Sequence, residues 1–430
     1  MSFKLLHPAD QIVMIMERIY GYGMTTTSGG NISILDNENN MWITPAGVDK
    51  GSLTNKDIVC IKKDGTIIGN HKPSSEFQFH NLIYKKRPDI KALLHAHPPA
   101  LIAFSIVRKI PDTNLIPNVK LICGGVGIAR YGLPGSRDLG EKIATVFERG
   151  IKTVILENHG VVLGASDLFK AFMAFETLDF CARLEINANR IGKPVPLLQK
   201  DIETLKNKQH SDMEDYLPEE SSSLERAARK EMCSLIQRAY NQKLFTSTQG
   251  TFSQRLNNES FIITPYGVDR KYIDTNDIVK IKRGLKEKGK IPSRSVLLHK
   301  YIYEKHLHVN SIIISHPPNI MAFAVTGENF NPKVIPESYV LLRKIPRIPF
   351  GSRFMHQKMV ASIFKKNVPA AIVKNDCVIV TGNSLLNAFD ILEVAEFTAK
   401  AIIDSRSIGN IINISDDKIA KLEKAYNLEI

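Results

Sequence analysis

A set of short motifs occurs twice in the same order along this chain, with an offset that drifts between 216 and 220 residues. Ordered matches with a slowly drifting offset are typical of a tandem duplication. The sequence therefore predicts two copies of one fold, with a first domain at 1–207, a polar linker at 208–223 and a second domain at 224–430. The matched segments are Thr44–Asp49 with Thr264–Asp269, His97–Pro99 with His316–Pro318, Gly135–Arg137 with Gly351–Arg353, and Ala171–Phe172 with Ala388–Phe389.

The first copy alternates short apolar runs with helical patterns. Strands are predicted at Met41–Thr44 and Ile58–Ile61, because short β-branched runs are bounded there by turn residues. The segment 124–131 is rich in glycine and is predicted to be a loop. Sheet strands with helices packed beside them indicate an α/β fold. Apolar spacing typical of helices covers Asp10–Tyr20, Ala100–Val107, Ser136–Phe147 and Asp167–Ile191.

Two histidines, His95 and His97, precede a pair of prolines at the end of an apolar run. Side chains alternate along a strand, so these two imidazoles project from the same face. Neutral imidazole suits a divalent ion such as zinc, and a catalytic zinc takes three protein ligands. The third candidate is His159, which lies in a polar step between two apolar runs. The alternative is a set of hydrogen-bonded structural histidines.

Two small-residue segments of the first copy are candidates for binding an anion. Thr25–Ser33 predicts a turn whose exposed backbone amides could cradle a phosphate, although a simple tight turn is the favoured interpretation of this segment taken alone. Ser74 and Ser75 stand where a helix is expected to begin, and free amide hydrogens there also favour phosphate. Glu76 follows them, in a place that compensation of the helix dipole would also select.

The second copy has lost most of the candidate metal ligands. Of the three histidines, the copy retains His316 in place of His97, and one imidazole cannot hold zinc. We therefore predict a folded but metal-free second domain. At the other matched positions the second copy has Ile314 in place of His95, Asp376 in place of His159, Ser295 in place of Glu76 and Thr251 in place of Asn31.

The cysteine content, the apolar runs and the net charge indicate the compartment and the kind of partner to expect for this protein. Cys60, Cys123, Cys181, Cys233 and Cys377 are scattered and odd in number, which indicates reduced thiols of a cytoplasmic protein. The sequence shows neither a signal-peptide core nor an apolar run of membrane-spanning length. The net charge is +13, of which +12 arises from Ser221 onward. No nucleic-acid-binding motif accompanies this charge, so a solvated surface or attraction of phosphorylated metabolites is favoured over RNA binding.

Taken together, the motifs resemble the class II aldolase/adducin family over nearly the whole chain, twice. The resemblance implies a three-layer α/β fold in two tandem copies. The first copy is similar to the fuculose-1-phosphate aldolase branch, and the second is similar to the metal-free domain of adducin. The segments that carry the resemblance are Ser28–Ser33, Thr44–Gly47, Pro73–Glu76, His95–Pro99 and Asn158–Gly160.

This resemblance implies a zinc-dependent lyase that cleaves a ketose 1-phosphate into dihydroxyacetone phosphate and an aldehyde. One zinc per chain is expected on His95, His97 and His159, and Glu76 is expected to be the catalytic acid/base. The residues expected to hold the phosphate are Ser28, Asn31, Gly47, Ser74 and Ser75.

Several alternatives stay open. Epimerases of the family resemble the same scaffold but carry aspartate where Glu76 stands, and dehydratase or decarboxylase members share the metal and phosphate sites. A non-catalytic, adducin-like assembly protein is the alternative from another functional class. Family aldolases also form four-domain rings in which a tyrosine of a neighbour's C-terminal tail completes the site. We therefore expect a dimer forming such a ring, with Tyr426 in this catalytic role or, alternatively, as an incidental residue of a frayed terminus.

Overall fold

A computed structural model describes residues 3–206, 212–218 and 220–428 of the chain. The chain divides into two units, each with its own sheet. The front unit comprises the described residues up to Thr113 together with Asn118–Arg183, and the rear unit comprises Asn114–Pro117 and the described residues from Leu184 onward. Residues 208–211 and 219 of the expected linker lie outside the described residues, and the domain boundaries expected from the sequence stay a prediction.

A mixed sheet organises the front unit. Its strand order is β4-β3-β2-β1-β5-β8-β7-β6, and all neighbours pair antiparallel except β6 and β7, which run parallel. The central strands β5, β7 and β8 are buried at every residue, which explains their uninterrupted apolar sequences. Within the described residues these strands are β1 (Asn31–Leu35), β2 (Met41–Ile43), β3 (Val59–Ile61), β4 (Ile67–Ile68), β5 (Ala92–Ala96), β6 (Val126–Ala129), β7 (Thr153–Leu156) and β8 (Gly160–Ala165).

Helices α2 and α5 pack together against this sheet. Phe79 and Ile83 of α2 and Leu139 and Phe147 of α5 join one apolar core with the sheet residues. Ser136 caps α5 from the position just before the helix, and its hydroxyl oxygen accepts a 3.2 Å hydrogen bond from the amide of Leu139. Along the front half of the sequence the helices are α1 (Pro8–Gly21), α2 (Phe77–Lys86), α3 (Pro99–Ile106), α4 (Pro117–Cys123), α5 (Arg137–Glu148), α6 (Leu168–Ile191) and α7 (Gln199–Lys206), with 3₁₀ turns at Phe3–Leu5 and Asn55–Asp57.

The rear unit contains a sheet of the same topology. Its order is β15-β16-β17-β14-β10-β11-β12-β13-β9, which repeats the front order with β9 added at one edge. The described strands are β9 (Asp215–Tyr216), β10 (Thr251–Asn257), β11 (Ser260–Ile263), β12 (Val279–Lys282), β13 (Leu285–Glu287), β14 (Ser311–Ser315), β15 (Arg347–Ile348), β16 (Ala370–Val373) and β17 (Cys377–Gly382). The helices are α8 (Ser223–Asn241), α9 (Val296–Lys305), α10 (Pro318–Val325), α11 (Pro336–Leu342), α12 (Ser352–Met355), α13 (Gln357–Ala361), α14 (Leu385–Ser405) and α15 (Asp416–Ala425), with a 3₁₀ turn at Arg270–Tyr272.

The expected α/β fold in two tandem copies is confirmed, with two local differences. The segment 124–131 contains strand β6 rather than a loop throughout, because its parallel pairing with β7 orders a glycine-rich sequence. Helix α2 begins at Phe77, so Glu76 lies just before the helix and not in its first turn. Among the described helices, none combines the length and apolar character that a membrane crossing requires.

Candidate metal centre

His95 and His97 lie at the end of the central strand β5. His95 stands directly opposite Asn31 of β1 and Val162 of β8, and its side chain is fully buried. Its Nδ1 donates a hydrogen bond of 3.0 Å to the carbonyl oxygen of Val161. This bond places the ring proton on Nδ1 and leaves the lone pair of Nε2 pointing into the site.

His159 reaches the same place from the turn that joins β7 and β8. Asn158 takes a left-handed backbone conformation with φ of 55°, and the amide of His159 bonds back to Leu156. One nitrogen from each of the three imidazoles lies within 4.8 Å of the other two. Nε2 of His95 and Nε2 of His97 lie 3.0 Å apart. The structure thus brings together all three residues that the sequence predicted as ligands.

The three side chains fit a divalent metal. Burial lowers the pKa of His95 and of His97 to about 3, so both rings are neutral and their lone pairs are available. Nδ1 of His159 and Oε1 of Glu76 are buried and have no hydrogen-bond partner among the described residues. Buried polar atoms without protein partners beside three converging imidazoles fit a site that binds a metal ion. Within the described part of the chain, this is the one cluster of at least three such side chains with converging ligand atoms.

Glycines leave the room that His97 needs. A Cβ atom at Gly160 would lie 2.5 Å from Cδ2 of His97 and 2.7 Å from the carbonyl oxygen of Ala96. A Cβ at Gly29 would lie 2.8 Å from Nδ1 of His97. Both distances are shorter than atomic contact allows, so each glycine is required by the close approach of the His97 ring.

Glu76 faces the histidine cluster. Its Oε2 lies 3.4 Å from Nε2 of His95, and its Oε1 lies 4.0 Å from Nε2 of His159. The carboxylate is almost completely buried and accepts a hydrogen bond of 2.7 Å from Nδ2 of Asn31. Glu76 therefore stands beside the metal site with one oxygen fixed by an amide and the other available.

A hydrogen-bonded chain extends behind Glu76. Nε2 of His80 donates to Oδ1 of Asn31 at 2.5 Å, and Nδ1 of His80 accepts from the hydroxyl of Ser33 at 2.6 Å. Tyr84 bonds the same hydroxyl at 2.6 Å. Burial lowers the pKa of His80 to about 3, so the ring is neutral and can both donate and accept. The sequence alone does not predict this role of His80, because it depends on Asn31, which lies 49 residues earlier in the chain.

The candidate phosphate-binding segments are hydrogen-bonded to one another. The amide of Lys50 donates to the carbonyl of Thr27 at 2.9 Å, which joins the loop after Gly47 to the first turn. The amide of Ser74 donates to the carbonyl of Thr44 at 3.1 Å and brings in the third segment. These bonds hold three separate parts of the sequence in one loop cluster.

The five candidate phosphate ligands differ in their surroundings. Ser28, Gly47 and Ser75 are exposed in the loop cluster, and Gly47 has φ of 69°. Ser74 is buried, and its hydroxyl oxygen accepts a weak 3.4 Å bond from the amide of Glu76. Asn31 instead uses both ends of its side chain within the front unit, on Glu76 and on His80.

The rear unit contains an internal ion pair where the front unit has its histidines. Thr251 pairs with Ile314 in the sheet as Asn31 pairs with His95. Arg353 donates to both carboxylate oxygens of Asp376, at 2.6 and 2.8 Å, and its third contact is the hydroxyl of Ser295 at 2.8 Å. Asp376 replaces His159, and Ser295 replaces Glu76. The Asp376 carboxylate is thus already paired with a guanidinium, and the metal-free rear unit stays a prediction.

The chain behind the site is only partly retained in the rear unit. His299 and Tyr303 both bond the hydroxyl of Ser253, as His80 and Tyr84 bond Ser33. Nε2 of His299, however, has no partner among the described residues, because Thr251 is too short and bonds Ser293 instead. The rear unit therefore keeps the hydrogen bonds among Ser253, His299 and Tyr303, but it has no counterpart of the Asn31 amide or of the Glu76 carboxylate.

Tyr426 follows helix α15 in the rear unit, and its side chain is exposed. The described contacts of a single chain give it no role. A catalytic role for Tyr426 requires that the tail of one chain reach the metal centre of another chain, and this role stays a prediction.

Comparison with known proteins gives two matching regions. The family described as Class II Aldolase and Adducin N-terminal domain matches residues 10–186 and 230–403. A 5-deoxy-D-ribulose 1-phosphate aldolase of Bacillus thuringiensis serovar kurstaki is 33% identical over 209 residues, which cover 46% of this chain and 93% of the relative. An L-fuculose phosphate aldolase of Methanocaldococcus jannaschii is 34% identical over 176 residues, which cover 41% of this chain and 94% of the relative.

Another relative carries a different activity. A 3-oxo-tetronate 4-phosphate decarboxylase of Haemophilus influenzae is 32% identical over 179 residues, covering 41% of this chain and 85% of the relative. Among solved structures, an L-fuculose 1-phosphate aldolase matches with 30% identity and a TM-score of 0.42, covering 46% of this chain and 93% of that one.

Proposed function

Since the chain belongs to the class II aldolase and adducin family, we propose that its front unit is a metal-dependent lyase that cleaves a ketose 1-phosphate. The products are dihydroxyacetone phosphate and an aldehyde. The observation that carries this proposal is the convergence of His95, His97 and His159, with the Glu76 carboxylate 3.4 Å from a ligand nitrogen. A metal site with an adjacent buried carboxylate suits retro-aldol chemistry, which needs an electron sink and a group that transfers a proton.

Zinc is the proposed metal, with one ion per chain. Three neutral imidazoles suit zinc better than magnesium or calcium, which prefer oxygen ligands. When bound, the metal supplies a Lewis acid that stabilises negative charge on the oxygens of the cleaved ketose half.

The residues of the chain are proposed to position the substrate and to move its protons. Ser28, Gly47, Ser74 and Ser75 bind the phosphate through the hydrogen-bonded loop cluster. The bond between carbons 3 and 4 breaks, its electron pair stays on carbon 3, and Glu76 in its acid form gives carbon 3 a proton. Asn31, supported by His80, orients the Glu76 carboxyl group for this transfer.

The proton of the carbon 4 hydroxyl needs a second acceptor. We assign this role to Tyr426 from a neighbouring chain, in a dimer whose four domains alternate between front and rear units. In such a ring the rear unit assists catalysis without binding metal, because it supplies the tail that completes the site.

The five cysteines are buried free thiols, which supports a reducing compartment and so a cytoplasmic protein.

The decarboxylase relative supports a second candidate function on the same site. Loss of carbon dioxide from a sugar-acid phosphate also leaves an electron pair on a carbon next to a carbonyl group, and the Glu76 carboxyl group would deliver a proton to that carbon. Epimerase and dehydratase reactions use the same features. The aldehyde or acid end of the substrate distinguishes these reactions.

The test combines metal analysis with a substrate screen. Zinc-loaded protein, with its metal measured by mass spectrometry, is incubated with a series of ketose 1-phosphates, and dihydroxyacetone phosphate release is followed. We expect release from at least one sugar, and loss of both zinc and activity in His97→Ala. His71→Ala is the control, because His71 is not one of the three converging histidines and its Nε2 instead pairs with Oδ1 of Asp57 at 2.9 Å. No release by a fully loaded sample would overturn the aldolase assignment, and release of carbon dioxide from a sugar-acid phosphate would replace it.

A further inference from the structure

Lys50 is a buried lysine that bonds the loop carrying Gly47. The residue is only 3% exposed. Its Nζ donates hydrogen bonds to the carbonyl oxygens of Pro45 and Val48, at 2.7 and 3.3 Å. These two carbonyl groups flank Ala46 and Gly47 in the sequence. The ammonium group therefore holds this loop from its buried side.

The main chain of Lys50 joins the same loop to a second candidate phosphate-binding segment. The amide of Lys50 donates a hydrogen bond of 2.9 Å to the carbonyl oxygen of Thr27, which precedes Ser28. Through its side chain and its main chain, one residue thus contacts two of the three segments in the loop cluster. A change at Lys50 is expected to reach the whole cluster.

The positive charge of Lys50 has no acidic partner in direct contact. Among the described residues, no carboxylate oxygen lies within 4.0 Å of Nζ, whose hydrogen-bond acceptors are the two carbonyl oxygens. The carboxylate of the neighbouring Asp49 accepts from the Gly51 amide at 2.9 Å and from the Ser52 hydroxyl at 2.8 Å. Burial lowers the pKa of Lys50, and Asp49 acts in the opposite direction. A buried cation without an ion-pair partner is costly, and a bound anion would offset this cost.

The rear unit places a buried arginine at the same position. Arg270 corresponds to Lys50 by the offset of 220, and the residue is 2% exposed. Its guanidinium donates to the carbonyl oxygens of Pro265 and Val268, at 3.0 and 2.8 Å, which are the counterparts of the two carbonyls that Lys50 binds. Two different cations on equivalent carbonyl groups indicate that this position requires positive charge rather than one particular side chain.

We infer that Lys50 is a positioning residue that raises the affinity of the front unit's loop cluster for the phosphate dianion of the substrate. This inference rests on the phosphate-binding part of the proposed function. Lys50 acts without touching the phosphate, because it binds two carbonyl oxygens that could otherwise face and repel an anion. Its charge also adds positive potential to the loop from a buried place, where salt screens it less than at the surface.

An NMR titration of the full, zinc-loaded chain with inorganic phosphate tests the inference at the loop itself. The backbone amide of Gly47 reports binding to the front unit whether or not any sugar is cleaved. We expect the affinity to fall about tenfold in Lys50→Gln, which keeps a hydrogen-bond donor but removes the charge. Lys50→Arg should retain most of the affinity, as Arg270 suggests. Lys56→Gln is the matched control, because it removes the same charge from an exposed lysine of the front unit.

A measurement on the wild type makes the test independent of how well a variant folds. Bound phosphate favours the charged ammonium group, so the pKa of Lys50, followed by its side-chain NMR resonances, is expected to rise when the protein is saturated with phosphate. An unchanged pKa would overturn the inference. Thermal unfolding of each variant checks that the front unit is folded.

The variants separate the charge of Lys50 from its hydrogen bonds. Wild-type phosphate affinity in Lys50→Gln would overturn the inference, since the residue would then act only through its hydrogen bonds. Equal weakening in Lys56→Gln would also overturn it, because net charge alone would explain the effect. Failure to cleave any ketose 1-phosphate, with the expected titration results, would count against the proposed reaction and leave this role of Lys50 intact.

Discussion

Asn31 donates a 2.7 Å hydrogen bond from its side-chain amide to Oε2 of Glu76, although 45 residues separate the two in sequence. Asn31 is opposite His95 in the sheet, and Glu76 precedes helix α2. His80 fixes the other end of the Asn31 amide at 2.5 Å. The orientation of the Glu76 carboxylate is therefore set by buried hydrogen bonds from Asn31 and His80, neither of which is a proposed metal ligand.

Asn31→Thr reproduces the rear unit's residue at this position and is expected to slow turnover. The threonine hydroxyl cannot reach both Glu76 and His80, as Thr251 does not reach His299. Loss of a group that orients a metal-site residue typically lowers the metal affinity or the activity by about 10–100-fold. We expect a fall in kcat of about this size with the zinc content unchanged, measured on the same preparations.

Asn55→Thr is the control for this change, because Asn55 is an exposed amide of the front unit that bonds Asp10. Turnover equal to wild type in Asn31→Thr would contradict the positioning role. A parallel loss of zinc would show that the residue acts on the metal site as a whole.

Gly160→Ala is expected to reduce metal binding. The added methyl group would lie 2.5 Å from the His97 ring and 2.7 Å from a backbone oxygen that cannot move freely. We expect zinc occupancy to fall well below one per chain in equilibrium dialysis. Gly125→Ala adds the same methyl group where nothing lies within 4 Å, and its occupancy should match wild type. Equal occupancy in both variants would show that His97 can shift without cost.

Arg353→Leu is expected to destabilise the rear unit by about 3–5 kcal/mol, because it leaves the buried Asp376 carboxylate unpaired. The double variant Arg353→Leu, Asp376→Leu removes both charges and should recover most of this loss. Chemical denaturation followed by circular dichroism measures both. A double variant that is less stable than Arg353→Leu alone would contradict the view that these two buried side chains mainly stabilise each other.

Much of the front site could be predicted from the sequence because its signals are local. The strand-end histidines, the turn before His159 and the glycine at 160 each have a backbone reason that a short segment reveals. The repeat offset likewise identified Ile314 as the counterpart of His95, and the sheet pairing confirms this equivalence.

The remaining parts depend on tertiary contacts. Arg137 and Arg353 occupy matched sequence positions, yet the first side chain is 87% exposed and the second 9%. The inward turn of Arg353 follows from the carboxylate of Asp376, which the repeat comparison alone could not place beside it. His80 is similar, since its role depends on Asn31 from a different element.

Tyr426→Phe tests the assembly proposal. If the tail of one chain completes the front site of another, removal of the phenol hydroxyl should lower kcat by about 10²–10⁴-fold, the range of general acid–base catalysis. Zinc content and oligomeric state, measured by light scattering, should be unchanged. Tyr20→Phe is the control, because Tyr20 is a partly exposed tyrosine of the front unit with no proposed catalytic role. Normal turnover by Tyr426→Phe would remove this residue from the mechanism.

The rear unit should lose stability as the pH falls below about 6.5. Burial lowers the folded-state pKa of His299 to about 3 from an ordinary value of 6.5. Between these values the unfolded chain binds a proton that the folded unit excludes, so the free energy of unfolding decreases by about 1.4 kcal/mol per pH unit for this group. His299→Gln removes the titrating ring, and its unfolding free energy, measured by denaturation between pH 6.5 and 4.5, should fall with a slope shallower by that amount. An identical slope in the two proteins would mean that His299 is protonated or solvated in the folded unit.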